Sequence, residues 1–405
     1  MKSDLRVGII GAGIMGCCAA LYLARRGVRS VLIDKKESPL CGASRWNEGK
    51  IHLGFLYAGD PSLRTAKEVL TPGLLFQSCM ESLIGTELRG VTQSNDLFLV
   101  HKNSVADIQQ IDHYYQKLAA LIRSNPYARK YFTDVSSCEF DQLDKDTLDS
   151  LVNGDEIRGG FSVPERSVST NWLADQLVRA VEADPRVEFL GSTEVSSGRR
   201  DQSHGREWFD VKFKNEGLES FDYVINASWE DLTRIDRSIG MQDDYSWSHR
   251  YRVSLFVETH SIVDIPSAVI CAGPFGDIKN YDGNRFYVSW YPVGLIHSSE
   301  DIDPPDTPTL DSHRKERIIQ DVFDNLGRCI PNVRAVQEQA SQIDVEGGWV
   351  FAKGKGRLSD PNATLHQRDK IGIRQSGNWL SVDTGKYSVA PWLASQLVNR
   401  ILPGV

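Results

Sequence analysis

The sequence predicts an α/β protein in which a parallel, dinucleotide-binding layer is interleaved along the chain with a second, mixed or antiparallel layer. Three observations carry this. Residues 5–34 run as strand, glycine turn, helix, strand and terminal acid, in that order. Strand-like segments of the same buried, parallel kind return at 221–228 and near the C-terminus. Between them lie strands rich in aromatics and Arg, separated by turn signals such as YDGN.

Leu5, Val7, Ile9 and Ile10 form a short apolar run, as a parallel strand covered on both faces requires. Gly11, Gly13 and Gly16 follow as G-x-G-x-x-G. Gly11 permits a tight turn, Gly13 lets backbone approach a pyrophosphate, and Gly16 lets the helix pack on the strand. The helix beginning near Ile14 and Met15 aims its first N–H groups at that anion. Val31, Leu32 and Ile33 form the second strand, ending at Asp34 and followed by Lys35. Asp34 lies 18 residues past Gly16, near the spacing of roughly 20 at which an acid accepts from a ribose diol. An acid there favours FAD or NAD over NADP and does not separate FAD from NAD. The alternative is a glycine-rich turn that binds nothing, but flanking strand, helix, second strand and acid are all present.

The chain has 405 residues, enough for two domains or one large composite domain. It is 40% hydrophobic and 25% charged, as globular proteins are. A net charge of −8 argues against a nucleic-acid partner or an anionic membrane surface, since both need a basic face. No apolar run approaches the roughly 20 residues of a bilayer span. The first strand starts within a few residues of Met1, which leaves no room for a leader and suggests a cytoplasmic protein. Seven scattered cysteines without a C-x-x-C pair suit a reducing compartment; Cys17 and Cys18 fall in the first helix, where packing accounts for them. Nine histidines show no metal-ligand spacing, so no metal site is expected.

Further along, 62–84 and 105–123 are expected helices and 97–100 a strand. Residues 169–183 are amphipathic with Ser169 or Thr170 as N-cap. VEFL at 187–190 and DVKF at 210–213 are strand-like, and FDYVINAS at 221–228 reads as a buried parallel strand. Strands are expected at 250–258, 268–272, 285–291 and 334–346, with a helix at 311–326 capped by Asp311. The C-terminus offers a strand, a glycine turn and a closing helix. No second G-x-G-x-x-G follows a strand; Gly354 and Gly356 lie in a basic loop that either holds an anion or is plain surface.

Three segments resemble the flavoprotein family of D-amino-acid oxidase, glycine oxidase and glycerol-3-phosphate dehydrogenase. They are the N-terminal glycine motif, YVINAS at 223–228 and VDTGKYSVAPWLASQLVNRI at 382–401. The resemblance runs through the whole chain in order. It departs at Ser228-Trp229, where the family has Ala-Gly. The segment 44–66 resembles, more narrowly, the L-2-hydroxyglutarate dehydrogenases at Arg45, Asn47, Gly49, Ile51, His52, Gly54, Tyr57, Ser62 and Leu63. It differs in the intervening Trp46 and in the turn Gly385-Lys386-Tyr387-Ser388.

The resemblance implies a Rossmann-like FAD-binding domain of the glutathione-reductase type, discontinuous over 1–84, 161–245 and 356–405. A mixed or antiparallel substrate domain would occupy 85–160 and 246–355. It implies FAD as cofactor, a small-molecule substrate, and dioxygen, a quinone or another carrier as electron acceptor. Ser44, Arg45 and Asn47 would approach the pyrophosphate and flavin, the backbone at Val195 the adenine, and Ala227 the isoalloxazine side. Gly385, Tyr387 and Ser388 would open the closing helix toward the flavin pyrimidine ring. The implied reaction oxidises a 2-hydroxy acid or other alcohol by hydride transfer to flavin N5, with an amine, as in glycine oxidase, as the other substrate class. His52 is the candidate base, since a neutral imidazole suits that task near pH 7; a satisfied core histidine is the alternative. Lys386 is the candidate for substrate or for the flavin N1–C2 edge, and Arg368 for a substrate carboxylate. Tyr287, Trp290 and Tyr291 either wall the substrate cavity or pack the sheet.

Overall fold

The computed structural model describes residues 5–203, 206–303 and 306–403. At the centre of a six-stranded sheet lies Arg6–Ile10, paired in parallel with Arg29–Ile33 on one side and Tyr223–Asn226 on the other. Val187–Leu190 closes one flank, and parallel Trp379–Asp383 with antiparallel Gly372–Ser376 the other. Alternate residues of the central strand serve opposite faces. Val7 and Ile9 pack under the helices Ile14–Arg25, Arg64–Ile84, Thr170–Ala183 and Ala390–Ile401. Ile10 packs with Phe209, Val211 and Phe221 of a three-stranded antiparallel meander, Val195–Ser203, Arg206–Phe213 and Leu218–Phe221.

The second sheet has nine strands. Its spine is Trp247–Thr259, hydrogen-bonded along its length to Ala340–Lys353 and on its other edge to Arg285–Trp290 and Leu295–Ser299. Asp96–His101 and Ile157–Val163 also belong to it, so the chain enters this sheet twice between visits to the parallel one. Its outer face buries Tyr251, Val253, Leu255 and Val257 against the helix Ser312–Cys329. The alternation turns Arg250, Arg252 and Ser254 to the opposite face.

Two expectations need correction. The strand expected at 334–346 begins as a helix, Val333–Glu338, and only Ala340–Lys353 is extended. Val333 and Val336, three apart, both reach the core, which is helical rather than strand spacing. The strand expected at 285–291 stops at Trp290, where a helical turn begins with Pro292 in its first positions. The meander strands Val195–Ser203 and Leu218–Phe221 lacked a clear alternation because half of each is solvent-facing.

Candidate functional site

A cavity of about 500 Å³ runs from the glycine turn, past the loop Leu40–Glu48, to Lys50, His52 and the turn Thr384–Tyr387. At its nucleotide end each glycine has a different duty. Gly11 has φ +98°, and a Cβ on it would stand 2.5 Å from the Ala227 carbonyl oxygen. A Cβ on Gly16 would stand 1.9 Å from the Gly11 oxygen. A Cβ on Gly13 would meet only Ser44 Oγ, at 3.0 Å, and would project into the cavity. Gly11 and Gly16 therefore serve the fold, whereas Gly13 leaves a cradle open. Ile14 and Met15 line that cradle, and the Ile14 N–H donates to Ser44 Oγ at 3.0 Å.

Asp34 also lines the cavity; it accepts from the N–H groups of Ala12 at 2.6 Å and Lys36 at 2.8 Å. Those donors fix its carboxylate at the end of its strand while burial pushes its pKa up. Lys35 borders the cavity, but its ammonium is held by Glu230 at 2.9 Å and Asp231 at 2.8 Å. Asn47 uses its side chain to shape its own loop, donating to the Ala43 carbonyl and accepting from the Gly49 N–H. Arg45 lies outside the cavity lining, bound to Asp175 at 2.8 Å and to the Leu40 carbonyl at 3.2 Å. Val195, Ala227, Gly385 and Tyr387 line the cavity. Gly16 and Ser388 do not.

At the other end, His52 follows the short strand Lys50–Ile51, which pairs with Arg166–Ser167. Its chain position is pinned from both sides. Glu165 accepts from the N–H groups of Leu53, Gly54 and Phe55 at 2.7, 3.0 and 3.3 Å. Gly73 packs on the His52 carbonyl so closely that a Cβ would come within 2.1 Å. The ring is 1% exposed; Nδ1 is buried with no hydrogen-bond partner among the described residues. Burial and the charges of Lys386, Lys50 and Lys279 hold His52 well below the usual imidazole range, so it is neutral near pH 7.

Tyr57 lies next to His52, with ring centroids 5.4 Å apart. Lys386 Nζ sits 5.5 Å from the Tyr57 ring. Among the described residues it has no ion pair, and burial with Arg368 lowers it to about 8. Arg368 lies outside the cavity lining, and its guanidinium has no hydrogen bond among the described residues, only its backbone N–H donating to Thr65 at 2.9 Å. Burial and Arg250 lower Arg368 to about 10. A second tyrosine, Tyr291, accepts from Arg250 at 2.7 Å and lies under Arg252 at 4.4 Å.

Several members escaped the sequence reading. Lys50 and Lys279 converge on buried Asp96, with Glu165 3.6 Å from Lys50. Arg250 and Arg252 were passed over within an Arg-rich strand; their two-residue spacing and shared face were the available signal. The proposed aromatic wall takes the packing alternative: Tyr287 bonds Ser254 and packs on Phe256, Trp290 packs on Phe275, and none of Tyr287, Trp290 or Tyr291 lines the cavity. Trp46 and Trp229 do line it. Trp229, where the resemblance led to the expectation of glycine, has a left-handed backbone with φ +58°, and its indole N–H donates to the Trp349 carbonyl at 2.7 Å. All seven cysteines are free, and Cys17 and Cys18 are buried in their helix. No metal-competent cluster and no helix long and apolar enough to cross a membrane occurs among the described residues.

The family model for FAD-dependent oxidoreductases matches residues 6–351. The chain belongs to that family: it is an FAD-dependent oxidoreductase. Solved structures share its fold nearly end to end. Glycine oxidase from Geobacillus kaustophilus is 15% identical, with a TM-score of 0.69 over 98% of this chain and 94% of that one. Iminodiacetate oxidase from Chelativorans sp. BNC1 is 14% identical, with a TM-score of 0.68 over 99% and 96%. FAD-bound L-α-glycerophosphate oxidase from Mycoplasma pneumoniae is 15% identical, with a TM-score of 0.66 over 97% and 94%. No curated protein matches the sequence.

Proposed function

We propose that the protein oxidises the alcohol of a small anionic substrate, a 2-hydroxy acid being the foremost candidate. The observation that carries this is a neutral, buried His52 beside Lys386, whose ammonium lines the cavity and has no ion pair among the described residues. The Gly13 cradle, the first-turn N–H groups at Ile14 and Met15, and Ser44 would hold the FAD pyrophosphate. Asp34 would accept from the ribose, backbone at Val195 would meet the adenine, and Ala227, Gly385 and Tyr387 would border the isoalloxazine. When bound, FAD supplies the two-electron acceptor. Lys386 orients the substrate anion, Arg368 adds positive charge from outside the cavity lining, and His52 takes the hydroxyl proton as the carbinol C–H departs as hydride. The neutral imidazole can accept that proton, and the nearby positive charge stabilises a developing alkoxide.

The same charges argue against an amine. A substrate ammonium is positive near pH 7 and would face Lys386 and Arg252, which line the cavity, with Arg368 and Arg250 adding positive charge near Lys386. The local resemblance to L-2-hydroxyglutarate dehydrogenases supports the same choice. Reoxidation falls to dioxygen, a quinone or another carrier. The free cysteines suit a reducing compartment, and a cytoplasmic location is part of this reading. His52→Ala should retain FAD and slow anaerobic reduction by substrate roughly 10²–10⁴-fold. An unchanged rate would remove His52 from the role of base.

A further inference from the structure

A histidine that serves as a base is ordinarily aimed by a bond from its second ring nitrogen to a carboxylate or carbonyl. His52 lacks that device on Nδ1, which is buried and unbonded among the described residues. The adjoining Tyr57 ring does not supply it, since its hydroxyl is likewise buried without a partner among those residues. The direction of the imidazole is left to packing and to the backbone that carries it.

That backbone is held before and after the histidine. Tyr131 donates its hydroxyl to the Ile51 carbonyl at 2.8 Å and accepts from the Arg166 N–H at 2.8 Å. Tyr114 donates to the Gly54 carbonyl at 3.0 Å. The largest share falls to Glu165. Its Oε1 takes three successive N–H groups, those of Leu53, Gly54 and Phe55, at 2.7, 3.0 and 3.3 Å. Gly54 has φ +122°, and glycine tolerates the curvature that brings three donors to one oxygen. The other oxygen, Oε2, has no hydrogen bond among the described residues and lies 3.6 Å from Lys50 Nζ. Glu165 is 0% exposed, and it directly precedes Arg166–Ser167, the partner strand of Lys50–Ile51. A buried carboxylate is costly unless donors and a counter-charge both answer it. Here the donors belong to the turn after His52 and the cation to the strand before it. Displacing His52 along the chain would break both.

We propose that Glu165 is a positioning residue: its buried carboxylate clamps the turn Leu53–Phe55 against the strand Lys50–Ile51 and thereby aims the His52 imidazole into the cavity it lines. This deepens the proposed reaction and rests on His52 being its base. Glu165 itself lies outside the cavity lining and acts through the histidine.

The test reads the His52 ring directly, by nuclear magnetic resonance of the FAD-loaded protein carrying isotope-labelled histidine, with His52→Ala to assign the signal. The wild type should give one sharp imidazole resonance for His52. Glu165→Gln keeps an acceptor for the turn but sets an amide where the anion met Lys50, and Glu165→Asp keeps the charge but withdraws it by one methylene. Each should split or broaden the His52 resonance while those of His101 and His249 stay in place; FAD content and thermal melting report folding. In Glu165→Gln, anaerobic flavin reduction by a 2-hydroxy acid should slow about 10–100-fold in limiting rate with substrate affinity nearly unchanged. Adding Glu165→Gln to His52→Ala should cost nothing more, because the two act as one unit. A single sharp His52 resonance in both folded variants overturns the proposal, and so does additivity of the two losses. Should neither variant fold, the wild type still decides: the amide protons of Leu53, Gly54 and Phe55 must exchange slowly, and exchange at the unprotected rate contradicts the clamp. The base reading is judged separately: it fails if His52→Ala is reduced at the wild-type rate, whatever the resonance shows.

Discussion

Gly13 and Gly16 lie three residues apart in one motif, and the structure gives them opposite consequences. A Cβ at Gly13 meets only a serine hydroxyl, and the methyl groups of a valine there would extend into the cradle. Gly13→Val should therefore fold, with an apo melting temperature within a few degrees of wild type, and should fail to retain FAD. Gly16→Ala drives a methyl onto the Gly11 carbonyl and should lower stability itself, by about 1–3 kcal/mol. Recovery of a fully FAD-loaded Gly13→Val would contradict the cradle. Lys386 gives the second residue-scale expectation. Its pKa is lowered to about 8, so the ammonium is charged below that pH and loses its charge as pH rises through it. kcat/KM for an anionic substrate, which reports free-enzyme groups, should fall above about pH 8. Lys386→Arg should move that fall upward. Lys279 is also lowered to about 8, but it is tied to Asp96 outside the cavity lining; a fall unmoved by the arginine would point there instead.

Among the elements, the strand Lys50–Ile51 positions His52, and what holds it is charge rather than apolar packing alone. Asp96, fully buried in its own strand, receives both Lys50 and Lys279. The two ammonium groups hold its carboxyl below the usual range despite burial. Asp96→Asn would remove the carboxylate that both buried lysines share, leaving Lys50 only Glu165 at 3.6 Å, and a loss of roughly 3–5 kcal/mol is expected in denaturant unfolding. A loss under 1 kcal/mol would mean that Glu165 alone suffices. Elements governed by local pattern were legible beforehand. The strand Arg6–Ile10, the helix from Ile14 and the Asp311-capped helix carry their signals within a few residues. Val333–Glu338 was misread because a short valine-bearing run satisfies either period until its packing partner is known.

On the scale of the whole molecule, the nucleotide end of the cavity was readable because one continuous segment builds most of it. The His52 end was only half readable. His52, Tyr57, Lys386 and Arg368 stood out through family resemblance, but Arg250 and Arg252 lie on a strand of the other sheet that only the folded chain brings near Lys386. No periodicity in the sequence reports that convergence. The chain is acidic as a whole, at −8, yet it gathers positive charge at the His52 end of the cavity, where the proposed substrate would bind. That separation leaves recognition to the site and solubility to the surface. Arg45 shows the reverse: expected to approach the pyrophosphate, it has its charge taken up by Asp175, as Lys35 has by Glu230 and Asp231.

The most direct measurement is the flavin absorbance of the purified, FAD-loaded protein under anaerobic addition of matched pairs: 2-hydroxy acids against the corresponding amino acids, each with one and with two negative charges. Bleaching of the flavin bands by hydroxy acids and not by amino acids is the predicted result. Bleaching by the amino acids alone would contradict the proposed reaction.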